Sequence, residues 1–280
     1  MINRRKFIQA GTVGMAAPAA LPFLGKAAVN TGEKTAKHEP LKLGMAGYTF
    51  LNFDLPASIK MMQRVNVKNL SIKDFHLPLD SSPEKIKEVL GELSAAGITA
   101  YAVGVIYMKS REEVDRAFNY AKAVGVDMIV GVPNYDLIDY TEQKVKEHNI
   151  KIAIHNHGPM DKLYPSPKEA YDRISKKDKR MGLCIDIGHT QRTGLAPAEA
   201  VVQFKDRLFD LHIKDVTAAN NDGQAIDVGR GVIDFPAFER ALYKINYQGM
   251  CSFEYELNMK DPLPGIAESV GYFKGVMNTI

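Results

Sequence analysis

Cysteine is scarce in this 280-residue chain, blocks of one charge are missing, and no short sequence repeat is visible. Each absence narrows the reading. The two cysteines, Cys184 and Cys251, fall on expected strands two apart. Their separation is then about twice the interstrand spacing, beyond the reach of a disulfide, so both read as buried thiols. Charged residues make up 25% of the chain and the formal net charge is +3, with the two signs interspersed. Past the N-terminal segment there is no basic block to engage nucleic acid. Nor does any apolar run suit a stable membrane anchor: the stretch Ala10–Leu24 is weakly hydrophobic and broken by Pro18 and Pro22, too short to span a bilayer. What remains, at 45% hydrophobic residues, is enough to bury one large core in a single domain.

The first residues stand apart from that domain. Asn3-Arg4-Arg5-Lys6-Phe7-Ile8-Gln9, followed by the Gly/Ala-rich stretch, resembles a twin-arginine export signal. The resemblance implies a signal over residues 1–30, a polar linker over 31–40, a folded domain over 41–280, and a periplasmic destination with no membrane contact once the signal is removed.

From Leu41 onward strand and helix patterns alternate. Strands are expected at Leu41–Tyr48, Val67–Lys73, Ile98–Tyr107 and Asp127–Val132, each followed by a helical stretch. Ser82-Pro83 and Ser166-Pro167 place a cap residue before a first-turn proline, and Gly97 and Gly125 sit where helices should stop. Eight strand–helix units in about 240 residues predict a single-domain α/β fold, the (β/α)8 or TIM barrel. Val216–Gly231 is the one long polar connection, and long loops on the C-terminal side of a barrel usually serve the site.

Four strands in the second half carry chemistry. Ile152–His157 (IAIHNH), Leu183–His189 (LCIDIGH), Phe209–Asp215 (FDLHIKD) and Cys251–Glu256 (CSFEYE) each have one apolar face. Because strand side chains alternate, the opposite faces present His155 and His157, then Asp186, then Asp210, His212 and Lys214, then Glu254 and Glu256. All lie near the C-terminal strand ends, where a parallel barrel keeps its active site. His155, Asp186, His212 and Glu254 form a donor set suited to a divalent metal, with His157 one residue pair further out as an alternative first ligand.

The order Asp186-x-x-His189, His212, Glu254 resembles the xylose-isomerase-like TIM barrels, the sugar phosphate isomerase/epimerase type in particular, over Leu41 to the C-terminus. That resemblance implies a carbohydrate substrate and a divalent metal, most often Mn2+, with Mg2+, Co2+ or Zn2+ as alternatives. It also implies that Asp186, His212 and Glu254 match the second to fourth ligands and His189 a contact to substrate oxygens. The sequence departs at the first ligand, where the ketose epimerases carry glutamate and this chain has His155. One of two acid–base carboxylates is thereby lost. Glu254 is left as base, with Lys73, His157, His189 or Lys214 as candidate acids. The expected chemistry is removal of the proton next to a carbonyl, leading to isomerisation, epimerisation or elimination such as 3-keto-glycoside cleavage. Two other classes fit the superfamily: an endonuclease-IV-like metal nuclease and a non-catalytic sugar-binding barrel. Neither a nucleic-acid partner nor a particular oligomer is called for, although a homo-oligomer is compatible.

Lesser features complete the expectation. Lys73 points into the barrel beside Asp74, and Lys214 should reach the mouth unless Asp215 pairs with it. Arg230, in Gly229-Arg230-Gly231, is a candidate substrate contact or a loop arginine. Tyr48, Phe50 and Tyr107 sit where a sugar ring could stack. Glu256 is expected past the strand end in solvent, and His76 and His148 on the surface.

Overall fold

The structure is a computed structural model that describes residues 39–280. The export signal, and all of the expected linker but its last two residues, lie outside the described residues. Eight parallel strands close into a barrel in strictly sequential order. They are β1 Lys42–Ala46, β2 Asn69–Ile72, β3 Thr99–Met108, β4 Met128–Pro133, β5 Lys151–His155, β6 Met181–Asp186, β7 Leu208–Ile213 and β8 Met250–Phe253. The expected (β/α)8 architecture is therefore present, and the first strand begins one residue from the expected domain start. Among the described residues, no helix is long and apolar enough to cross a membrane.

The helices form where the sequence supplies both a cap and a stripe. They are α1 Leu55–Arg64, α2 Pro83–Ala95, α3 Arg111–Val124, α4 Ile138–His148, α5 Pro167–Ile174, α6 Ile187–Arg192, α7 Pro197–Gln203, α8 Phe235–Lys244 and α9 Leu263–Met277. In α3 the Ser110 side chain accepts from the Glu113 N–H, and the helix stops at Gly125 in the left-handed region. Its buried residues include Val114, Ala117, Phe118, Ala121 and Val124, spaced three and four apart so that one face meets the barrel. Each fully buried large side chain contributes about 1.5–3 kcal/mol. Asp54, Ser82, Ser166 and Asp234 cap their helices in the same way. Both cysteines are free and buried.

Two departures from the expected elements matter for the site. The strand expected over Leu183–His189 stops at Asp186. That carboxylate accepts from the His189 N–H at 2.8 Å, while the Thr190 hydroxyl donates to the Asp186 carbonyl at 2.6 Å. A helix turn, α6, starts there and carries His189 back over the barrel mouth. The second departure concerns Asp215, which does not pair with Lys214. It accepts from the backbone N–H groups of Val216, Gly229, Gly231 and Ile233. The long loop is thus tied down at its far end, and Asp215–Val216 pairs antiparallel with Ala225–Ile226 to make a fixed wall beside the mouth.

Candidate functional site

Strand register decides which side chains meet. Asp186 of β6 pairs with His212 of β7, which pairs with Ser252 of β8. His155 of β5 lies beside Cys184 of β6. Glu254 follows β8, its N–H donating to the Ile213 carbonyl at 3.1 Å, so its side chain turns toward the same point. His155 Nε2 lies 2.9 Å from His212 Nδ1 and 3.7 Å from Asp186 Oδ2. His212 Nδ1 is in turn 3.2 Å from Glu254 Oε2. One donor atom from each of His155, Asp186, His212 and Glu254 falls within 4.8 Å of the others, and all four residues are buried.

These residues fit a divalent cation on their own geometry. Buried polar atoms normally find partners, yet Asp186 Oδ2 forms no hydrogen bond of good geometry among the described residues and is faced only by the Lys214 ammonium at 3.0 Å and by imidazole nitrogens. Two imidazole nitrogens face each other across 2.9 Å, and nitrogen and carboxylate donors in this ratio suit zinc, manganese or cobalt. Of the two histidines offered for the first position, His155 belongs to the cluster. His157 does not: it stacks on Tyr107 with ring centroids 5.5 Å apart, and its Nε2 lies 2.9 Å from the Tyr107 hydroxyl.

Electrostatics set the site apart from the rest of the core. Burial, then the neighbouring His212, holds the His155 imidazole well below its ordinary value, which keeps it neutral. Burial likewise lowers His157, and takes His189 down to about 4. His212 goes the other way: burial pulls it down, but the Glu254 carboxylate more than offsets that. Glu254 resists its own burial through His212 and Lys214 and stays ionised. The Tyr107 hydroxyl is pushed up to about 12, by burial first and by nearby carboxylates.

A cavity of about 270 Å³ opens over the cluster, lined among others by Lys73, Tyr107, His155, His157, His189 and Glu254. Tyr48 also lines it, whereas Phe50 is fully buried in the core. Lys73 Nζ donates to the Val105 carbonyl at 2.8 Å and pairs with Asp74 at 3.0 Å. Lys214 is brought to the mouth, as expected, but into the carboxylates and not toward open solvent. Its Nζ lies 3.0 Å from Asp186 Oδ2 and 2.9 Å from both Glu254 Oε2 and Glu256 Oε2.

Three expectations need correcting. Arg230 is 61% exposed and forms an ion pair with Glu268 of α9, so the structure does not bring it to the cavity. Glu256 is not solvated past the strand end: it lines the cavity and grips Lys214. Its parity with Glu254 was the signal that could have revealed this. His76 is buried, with its Nε2 2.9 Å from the Phe53 carbonyl, and serves packing.

Comparison with known proteins agrees with this fold. The model of the family described as xylose isomerase-like TIM barrel matches residues 66–276. A rhizopine catabolism protein of Rhizobium meliloti is 26% identical over 145 residues. That match spans 46% of this chain and 44% of the relative's length, so it covers less than half of that protein. Among solved structures, the 3-keto-D-glucoside 4-epimerase of E. coli superposes with a TM-score of 0.68 at 18% identity. The superposition covers 84% of this chain and 99% of that one. The IOLI protein, solved with a bound zinc atom, gives a TM-score of 0.69 at 19% identity, covering 85% and 99%.

Proposed function

The chain belongs to the xylose isomerase-like TIM barrel family, and from that premise we propose that it is a divalent-metal-dependent enzyme acting on a sugar or keto-sugar. The reaction is removal of the proton next to a carbonyl. One observation carries the reading: His155, Asp186, His212 and Glu254 converge in a buried cluster beneath a cavity whose walls hold Lys73, His157, His189 and Tyr107. The similarity to a keto-glucoside epimerase and to a zinc-bound protein of the same fold supports both the substrate class and the metal. Mn2+ is the proposed ion.

His155, Asp186, His212 and Glu254 would hold a divalent ion, which would supply Lewis acidity toward a substrate carbonyl. The chain's own groups do the rest. Glu254 is the cluster carboxylate that also faces the cavity, so it is placed to take the carbon-bound proton. Lys73 brings an ammonium to the cavity wall, held by the Val105 carbonyl, and can return a proton to a departing or developing oxygen. His157 and Tyr107, coupled through their 2.9 Å contact, give a flat, polar surface on which a sugar ring can rest. His189, set over Asp186 by the turn of α6, presents an imidazole to substrate hydroxyls.

Because His155 stands at the first ligand position, the four-residue cluster offers one cavity-facing carboxylate, Glu254, and the other carboxylate on the cavity wall, Glu256, lies outside the cluster with its charge held by Lys214. Abstraction followed by elimination or by one-face isomerisation is therefore favoured over two-face epimerisation. Export through the Arg4-Arg5 signal would favour unphosphorylated sugars and glycosides as substrates. The test is incubation of Mn2+-loaded protein with ketoses and 3-keto-glycosides in deuterated water. A single carbon-bound position should exchange. Efficient interconversion of two C3-epimeric ketoses would sink the one-base argument, and absence of any exchange or turnover would sink the enzymatic reading.

A further inference from the structure

The Lys214 ammonium touches the same two oxygens that the metal cluster uses. Asp186 Oδ2, which lies 3.7 Å from His155 Nε2, is 3.0 Å from Lys214 Nζ. Glu254 Oε2, which lies 3.2 Å from His212 Nδ1, is 2.9 Å from it. A divalent ion on those oxygens would stand close to this ammonium and repel it. The third carboxylate on the lysine, Glu256 Oε2 at 2.9 Å, stands outside the four-residue cluster. Glu256 is 29% exposed, against 4% for Lys214, so it sits on the cavity side of the ammonium.

We infer that Lys214 is a built-in competing cation, which satisfies Asp186 and Glu254 when no metal is bound and retreats onto Glu256 when one is. The inference rests on the metal reading above. Charge supports it. Metal ligation needs both imidazoles neutral. The three carboxylates and one ammonium then leave two negative charges uncompensated, the complement of one divalent ion. Without metal, and without the lysine, three carboxylates would crowd one another in a buried pocket, an arrangement proteins avoid. The fold also reserves a path for the lysine stem. A Cβ added at Gly188, in the first turn of α6, would come within 2.5 Å of Lys214 Cγ and 2.9 Å of its Cδ. The bare glycine lets the stem lie against the helix start and aims its head into the carboxylates.

The test compares Mn2+ affinity in the wild type, Lys214→Met, Glu256→Gln and the double variant. Affinity is read by chelator competition starting from the loaded protein, so a variant that unfolds without metal still reports. Lys214→Met should bind Mn2+ about 10–100-fold more tightly, the range expected of a group just outside the ligand set. Its metal-free form should melt lower than the wild type while its loaded form melts alike. Glu256→Gln should weaken binding, because the ammonium loses its retreat. It should do so only while Lys214 is present, so the double variant should bind like Lys214→Met. Unchanged or weaker binding by Lys214→Met overturns the inference. So does an equal loss from Glu256→Gln with and without Lys214, since Glu256 would then act through its own charge. A wild type that takes up neither Mn2+ nor Zn2+ overturns the metal reading itself, a failure visible before any variant is made.

Discussion

Strand β7 has a buried cation at each end, and the two are handled in opposite ways. Arg207, just before it, is fully buried. Its guanidinium donates to four backbone carbonyls, of Ser175, Lys177, Asp178 and Met181, at 2.7–2.9 Å. Lys214, just after the strand, faces three carboxylates and no backbone oxygen within its bonded set. The arginine gathers backbone dipoles of the connection between α5 and β6 and locks it. The lysine neutralises charges that a divalent ion could neutralise better. The comparison separates the two ends of the barrel. Conformation is secured at the N-terminal end by a fixed partner, whereas at the C-terminal mouth ionic groups are gathered with an exchangeable one.

The largest effects should come from the mouth. Glu254→Gln should abolish turnover even with Mn2+ in excess, because on the proposed reading it removes a ligand and the base together. Steady-state assays on the substrate found by the exchange experiment check this, and residual activity within tenfold of wild type would exclude Glu254 as base. Lys73→Met should keep its metal, by elemental analysis, but slow catalysis about 10²–10⁴-fold, as the loss of a general acid does.

The other end should show the reverse pattern. Arg207→Met removes the donor shared by four carbonyls of the α5–β6 connection and should cost about 3 kcal/mol or more in denaturant unfolding, with metal content unchanged. Lost metal in that variant would blur the distinction between the two ends. A buried carboxyl away from both ends, Glu239 on α8, sharpens it further. Neither of its oxygens has a hydrogen-bond partner among the described residues, and burial pushes it from 4.5 up to about 8. A carboxyl raised in the folded state contributes stability below its unfolded value and loses it as pH rises through its folded one. Thermal melts should therefore fall between pH 4.5 and about 8, and Glu239→Gln should flatten that part of the profile. Smallest of all, Arg230→Ala should leave turnover and melting within error, since its ion pair with Glu268 is exposed and such pairs contribute little.

Much of this was legible in the sequence, for reasons that can be named. Period-two alternation placed His155, Asp186, His212 and Glu254 on inward faces at strand ends, and a barrel brings such ends together whatever the loops do. The approach of Lys214 to Asp186 and Glu256 was not legible, because it depends on register between β6, β7 and β8 and on the room left by Gly188. Asp186 also hid a second role: a residue that ends a strand and caps a helix reads as continuous strand when Ile187 extends the apolar alternation. Arg207 gave no signal, since its partners are backbone carbonyls, which every sequence has. Arg230 was open between a substrate contact and a loop arginine, and its exposed ion pair with Glu268 selects the loop.

The central claim is that four strand ends make one metal centre, and metal stoichiometry tests it most directly. Protein purified with Mn2+ and dialysed should retain about one ion per chain by elemental analysis, and His155→Ala, Asp186→Ala and His212→Ala should each lose it while keeping a folded circular-dichroism spectrum. A full complement in His155→Ala would contradict that ligand assignment, and a full complement in Asp186→Ala and His212→Ala as well would contradict the centre itself.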